Sequence, residues 1–334
     1  MMARIKEIWD QLESHTSTVA GLFKQRYSDT SSCDAFLGIK YPENYRMLIV
    51  RTPLKVGKDF NFKYEFKGVK FDKVYDPDDS NFLLLNLVLV DKQFRDVFDS
   101  LVADVLNNII NESELKVILK NYTNRLVKWQ SLFERFSQEG LKAEEQRGLF
   151  GELFFIRKFL QNNSDFTSIL NSWGGPEKQI RDFQSGSWSV EVKTTHGNNH
   201  QKVQVSSERQ LDTSNLENLF LFHLSLEARQ QSGETLNQIV DSVSEILGSD
   251  FISLNRFKNK LLEGGYFDQH KDIYESAGYF IRQEIFYKVE NDFPRIEESD
   301  IRSGVGDVKY SIVISLCSDY IRTEQELFQT LIFA

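Results

Sequence analysis

Residues 181–195, RDFQSGSWSVEVKTT, constrain this chain more than any other segment. Two runs of alternating character separated by Gly-Ser predict a β-hairpin with a two-residue turn, in which glycine takes the first central position because φ there is positive. With Gly186-Ser187 as that turn, Ser185 faces Trp188 and Asp182 faces Glu191. Lys193 shares the face of Glu191, one pleat repeat or about 7 Å along the strand. Phe183, Trp188, Val190 and Val192 fall on the other face, which is therefore expected to pack in the core.

Carboxylates that face each other across a sheet repel by several tenths of a kcal/mol, and by more in a dry cleft. A cation belongs between Asp182 and Glu191, and either Lys193 or a divalent metal supplies it. Mg²⁺ suits such a place because it takes one or two carboxylates and completes its shell with water or phosphate oxygen. A hard cation there also attracts a phosphodiester, activates water and offsets charge developing on the phosphoryl oxygens, while the Lys193 ammonium orients or deprotonates the nucleophile.

Upstream, residues 141–161 carry Leu149, Leu153, Ile156 and Leu160 at helical spacing, and Glu145, Gly148 and Glu152 form the adjoining stripe. A carboxylate at the buried edge of a helix needs a cation or a donor. Gly148 and Gly151, each disfavoured by about 0.5–1 kcal/mol against alanine inside a helix, point to close approach of another backbone or a substrate. Downstream, Ser207-Glu208-Arg209-Gln210 fits an S-x-x-Q capping box, so a helix is expected from Ser206 or Ser207. Its free amides, with Lys202 and Arg209 nearby, are a candidate phosphate site.

The remaining features narrow the class. With 40 basic and 49 acidic side chains among 334 residues, the formal charge of −9 excludes coating nucleic acid by bulk charge and leaves room for a local site. Cys33 and Cys317 lie too far apart in sequence to be read as a disulfide framework or a thiolate zinc site. No run approaches the roughly 18 apolar residues of a membrane span and the first residues lack the apolar centre of a signal peptide, so a cytoplasmic protein without a membrane partner is expected. His196 and His200 flank Gly197-Asn198-Asn199, which spoils the helical geometry of a zinc pair, and His223 reads as a core histidine within an apolar strand. Gly304-Val305-Gly306 lacks the rest of a nucleotide motif.

Periodicity predicts an amphipathic helix over residues 1–30, antiparallel strands through 36–91, and helices over 94–110 and 114–137. Beyond the hairpin come a buried strand around 219–228, two helical stretches and two strands. The fold class expected is α+β/α/β, with an N-terminal α+β region over 1–112, a core over 113–230 and an α/β extension over 231–334.

Glu152 on a helix, Asp182 on one strand, Glu191-Val192-Lys193 on the next and a following helix resemble the α-β-β-β-α-β core of the PD-(D/E)XK nuclease superfamily, over roughly residues 141–227. The phrases RGLFGELFFI, SWGGP, RDF, WSVEVKTT and VQVSSERQL resemble a prokaryotic family of unknown function grouped with those nucleases, and that likeness spans most of the chain. The resemblance implies a restriction-endonuclease-like core, a mixed sheet flanked by helices. It implies that Asp182 and Glu191, with the helix-borne acid Glu152, bind Mg²⁺ or Mn²⁺, that Lys193 is the catalytic lysine, and that Gln210 is a further candidate; the cap reading adds Ser206 and Ser207 to Gln210 as candidate substrate-binding residues. It further implies hydrolysis of DNA in bacterial restriction or phage defence, beside an ATPase or helicase partner. The alternative is a catalytically idle module of the same fold that binds nucleic acid or scaffolds a defence complex. Arg181 stands where the superfamily often has proline.

Overall fold

The computed structural model describes residues 2–14, 20–28, 33–61, 67–135, 139–197, 201–248 and 250–333. They belong to two compact units, Met1–Phe136 and Ser137–Ala334. The expected divisions at 112 and 230 both fall inside units.

The first unit contains α1 (Met2–Glu13), β1 (Gly21–Arg26), β2 (Ala35–Tyr41), β3 (Tyr45–Pro53), the single turn α2 (Leu54–Gly57), β4 (Val69–Tyr75), β5 (Phe82–Leu89), α3 (Arg95–Ile109) and α4 (Leu115–Arg135). Its strands form an antiparallel sheet in the order β1-β2-β3-β5-β4. Helix α1 buries Ile5, Ile8, Trp9 and Leu12, as its spacing predicts. The helix ends at Glu13 instead of continuing to residue 30. Leu22 lies on strand β1, paired with Lys40, and Val19 lies outside the described residues. Helix α4, expected to open the central core, is tied to α3 within this unit. Asp104 on α3 takes an ion pair from Arg125 and the indole N–H of Trp129 at 2.7 Å.

The second unit begins with α5 (Ala143–Asn162) and α6 (Phe166–Ser172), followed by β6 (Phe183–Ser185), β7 (Trp188–His196), β8 (Lys202–Val205), β9 (Asn218–Gln230) and β10 (Glu234–Thr235). Helices α7 (Leu236–Leu247), α8 (Phe251–Glu263) and α9 (Lys271–Tyr274), strands β11 (Ala277–Lys288), β12 (Tyr310–Val313) and β13 (Ile321–Arg322), and α10 (Glu324–Phe333) complete it. The main sheet runs β10-β11-β9-β7-β6, with β13 on β11, and β8 and β12 form a separate ribbon. β7 and β9 are parallel; the other pairs are antiparallel. This mixed α+β unit places β7 and β9 between two apolar cores.

On one face Val190, Val192, Phe220 and Phe222 join Phe155 and Phe159 of α5. On the other, Leu219 and Leu221 join Val203 and Val205 of β8 and Ile312 of β12. Burial on both faces explains why β9 reads as an almost unbroken apolar run.

The helix expected after β8 is absent. Residues Glu208–Gln210 make one 3₁₀ turn, capped by the Ser207 hydroxyl. Long-range contacts win over the local capping signal: buried Glu208 accepts the Val308 N–H at 2.8 Å, and Arg181 donates to the carbonyls of Gln210 and Asp212 at 3.0 and 2.6 Å. The parallel step from β7 to β9 is thus made by a ribbon strand and a turn, where a helix is usual.

Candidate active site

The hairpin has the predicted register. Ser185 pairs with Trp188 and Phe183 with Val190, which sets Asp182, one residue before β6, opposite Glu191. Gly186 has φ +53° while Ser187 is not among the positive-φ residues, so the turn is of the kind with glycine first. The other expectation about this hairpin, an apolar face against the core, also holds.

The polar face is covered less completely, with Asp182 and Lys193 half-buried and Glu191 buried. Glu191 is only 1% exposed, because β7 is an inner strand and the ribbon of β8 and β12 covers this side. Its Oε1 takes the Lys193 ammonium at 2.8 Å, and its Oε2 is buried without a hydrogen-bond partner. Lys193 also donates to Gln210 Oε1 at 3.1 Å. Asp182 Oδ2 accepts the Val192 N–H at 2.8 Å, so the two strands of the hairpin are cross-tied at the acid itself.

Glu152 reaches the same place from α5. Burial, and then the nearby Glu191 charge, lift its carboxyl to about 7 against the hydrogen bond from the Trp173 indole and the attraction of Lys193. Asp182 is pushed well above the ordinary carboxylate range by burial and by the charges of Glu191 and Glu152. Glu191 is raised by burial despite Lys193. For Lys193 burial opposes the charge, and the carboxylates of Glu191, Asp182 and Glu152 outweigh it, so its ammonium is held more firmly than usual. Three acids and one ammonium thus share a field. Among the described residues, however, no group of three His, Cys, Asp or Glu side chains is arranged to enclose a metal ion as it stands.

Gln210 is drawn in by tertiary contacts. Its Oε1 accepts from Lys193, from the Ser206 N–H and from the Ser206 hydroxyl, both at 3.0 Å. Three donors on one oxygen fix the orientation of the amide. Ser207 stays local, with its hydroxyl on Glu208 and on the Arg209 N–H. Glu145 is the N-terminal box of α5, its Oε2 accepting the Lys142 N–H, and takes no part. Gly151 packs against β7, where an added Cβ would clash with Thr194, while Gly148 faces open space, so only one of the two helix glycines marks a close approach. His196 ends β7 on the surface, and His200 lies outside the described residues. His223 is buried against Thr195 at 2.8 Å.

Two participants carry no site signal of their own in the sequence. Trp173 is fully buried like a core anchor, yet its Nε1–H donates to Glu152 Oε2 at 2.6 Å. Arg181 reads as a departure from a motif and instead clamps the 208–212 turn that carries Gln210. The SWGGP phrase was the available signal for the first, and an arginine beside a buried acid for the second.

The raised carboxyls set a pH dependence. A group whose folded pKa lies above its unfolded value binds protons more tightly when folded, so its contribution is complete below about pH 4.5 and is lost as pH rises through about 7. For Glu152 the loss is on the order of 3 kcal/mol. Carboxylates held low, such as Asp76, Asp212 and Glu297, have finished titrating by then. The melting temperature of the metal-free protein is therefore expected to fall by several degrees between pH 5.5 and 8, and Glu152→Gln to flatten that decline. A wild-type melting temperature independent of pH over this range would refute the buried-charge account.

The second unit defines a mixed α+β protein with a buried cluster of acids and one lysine at a hairpin on its central sheet. The sequence profile of the family described as "Putative PD-(D/E)XK family member, (DUF4420)" matches residues 5–315, and the chain belongs to that family. No curated protein and no solved structure matches the chain. No described helix is long and apolar enough to cross a membrane.

Proposed function

We propose that the chain is a divalent-cation-dependent nuclease that hydrolyses DNA phosphodiester bonds at Asp182, Glu191 and Lys193. The observation that carries this reading is the Glu191 carboxylate: fully buried, with one oxygen on Lys193 and the other unpartnered beside two further acids. A buried lone pair without a donor is expensive, and a hard cation is the group that oxygen donors of this kind accept. Family membership supports it, since PD-(D/E)XK nucleases typically use divalent metals.

The donor set fits Mg²⁺ or Mn²⁺ bound through two carboxylates with water elsewhere. Asp182 and Glu191 are its holders, and Glu152 supports them from α5. Such an ion, when bound, supplies Lewis-acid stabilisation of phosphoryl charge and lowers the pKa of water. Lys193, fixed by Glu191 and Gln210, orients the attacking water and donates to a phosphate oxygen; the Gln210 NH₂ is a second donor to the phosphate. A cleft beside the site is lined by Arg181, Gln184, Arg209, Asp212 and Glu298, with Arg209 paired to Glu298 at 2.7 Å, so its charges balance and its polar groups are the ones offered to a nucleic-acid backbone.

In this reading α5 and β6 to β9 are a restriction-endonuclease-like core whose second helix is reduced to a 3₁₀ turn. Bacterial restriction or phage defence, in the cytoplasm and beside an ATPase or helicase, is the setting proposed. The test is nicking of supercoiled plasmid by purified protein: cleavage is expected with Mg²⁺ or Mn²⁺ and none in EDTA.

One observation favours a second reading, an idle nucleic-acid-binding or scaffold module. Lys193 already neutralises Glu191, and no three-acid enclosure is formed among the described residues. DNA binding that is independent of cations and never followed by cleavage would select it.

A further inference from the structure

The segment after α6 touches both acids that flank the hairpin. Trp173 donates its indole N–H to Glu152 Oε2, and Gly174 and Gly175 donate their amides to the Asp182 carbonyl at 2.8 and 3.2 Å. Gly175 lies directly under the Glu152 carboxylate, where a Cβ would clash with Oε2. From behind, buried Lys260 of α8 donates to the Trp173 carbonyl and pairs with Glu177 at 3.1 Å, so the segment is held on its far side too. Phe257 packs at a tilt against the indole, with a centroid separation of 6.0 Å.

We propose that residues 173–175 form a positioning bracket for the cation site, in which the Trp173 indole turns Glu152 Oε1 toward Asp182 and Glu191 and the two glycine amides set the strand position of Asp182. The inference rests on the metal-site reading above and adds residues that touch neither cation nor substrate. Its chemistry follows from the donor chosen. An indole N–H gives one hydrogen bond and no charge, so it fixes the carboxylate without neutralising it, whereas a lysine or arginine there would compete with the cation. Glycine at 175 is a requirement of space, because the carboxylate occupies the volume of its missing side chain. Groups that orient metal ligands in this way are commonly worth 10-fold to 100-fold in metal affinity.

The experiment is calorimetric titration of the full-length protein with Mn²⁺, with thermal denaturation of each variant alongside. Trp173→Phe keeps an aromatic ring and removes the donor; Gly175→Ala displaces the carboxylate. Each is expected to weaken Mn²⁺ binding by at least about 10-fold. In a Glu152→Gln background, Trp173→Phe is expected to have no further effect on Mn²⁺ affinity while still lowering the melting temperature. That coupling separates positioning from packing, since a merely structural role gives the same loss in both backgrounds. Wild-type binding with unchanged affinity in Trp173→Phe and Gly175→Ala, or equal losses in both backgrounds, would overturn the bracket. Failure of the wild-type protein to bind Mn²⁺ would instead remove the metal site itself, and the bracket with it.

Discussion

Asp182→Ala and Lys193→Ala are each expected to lower Mg²⁺-dependent plasmid cleavage by at least about a thousandfold, roughly 4 kcal/mol of transition-state stabilisation. The two losses have different causes. Asp182 brings one of the carboxylates that hold the cation, and its other duty, accepting the Val192 N–H, is retained in Asp182→Asn. An Asn variant that folds normally and fails to cleave therefore isolates the charge. Lys193 is the ammonium nearest to Glu191, and Arg is not an equivalent replacement, because a planar fork cannot occupy the place of a point charge 2.8 Å from Glu191 and 3.1 Å from Gln210. Lys193→Arg is accordingly expected to remain far below wild type. Cleavage by purified protein that persists at wild-type rates in both alanine variants would move the chemistry elsewhere.

In the first unit, Arg46→Ala is expected to lower stability by about 3–5 kcal/mol, read as a shift of the urea midpoint of that unit's transition. Arg46 Nη1 lies 2.7 and 2.6 Å from the two oxygens of Asp99 on α3, and its Nε lies 2.8 Å from Glu13 on α1. Its guanidinium also sits 5.0 Å from the centroid of the Trp9 ring. Both Arg46 and Asp99 are buried, so truncation takes the guanidinium away from both oxygens of a desolvated carboxylate. Arg46→Met combined with Asp99→Leu removes both charges and is expected to recover most of the loss, since an apolar pair of similar volume replaces an ion pair at little net change. A single-variant loss below about 1 kcal/mol would mean that the Arg46–Asp99 pair contributes no more than a surface ion pair.

Much of the second unit's central element is local information. Gly186 supplies the positive φ, alternation assigns each residue a face, and the register of Asp182 against Glu191 follows without any knowledge of the rest of the chain. The helices α3, α4, α5, α7 and α8 are likewise carried by their own apolar spacing. Short-range signals fail where a distant partner outbids them. The S-x-x-Q box does not open a helix, because Gln210 turns back to Ser206 and Lys193 while Glu208 is taken by Val308. Helix α1 ends at Glu13, well short of residue 30, and the next described element is strand β1 pairing on β2.

The chain's order of residues by itself determined the hairpin, the identity of its two facing acids and the lysine beside them. Only the tertiary structure decided that Glu191 is buried, that Glu152 is met by an indole, and that Arg181 carries Gln210 to the lysine. The physical reason is range. Backbone torsion and side-chain alternation act between neighbours, whereas burial and hydrogen-bond partners 17 to 87 residues away exist once β9 lies parallel to β7 and α8 backs the 173–175 segment.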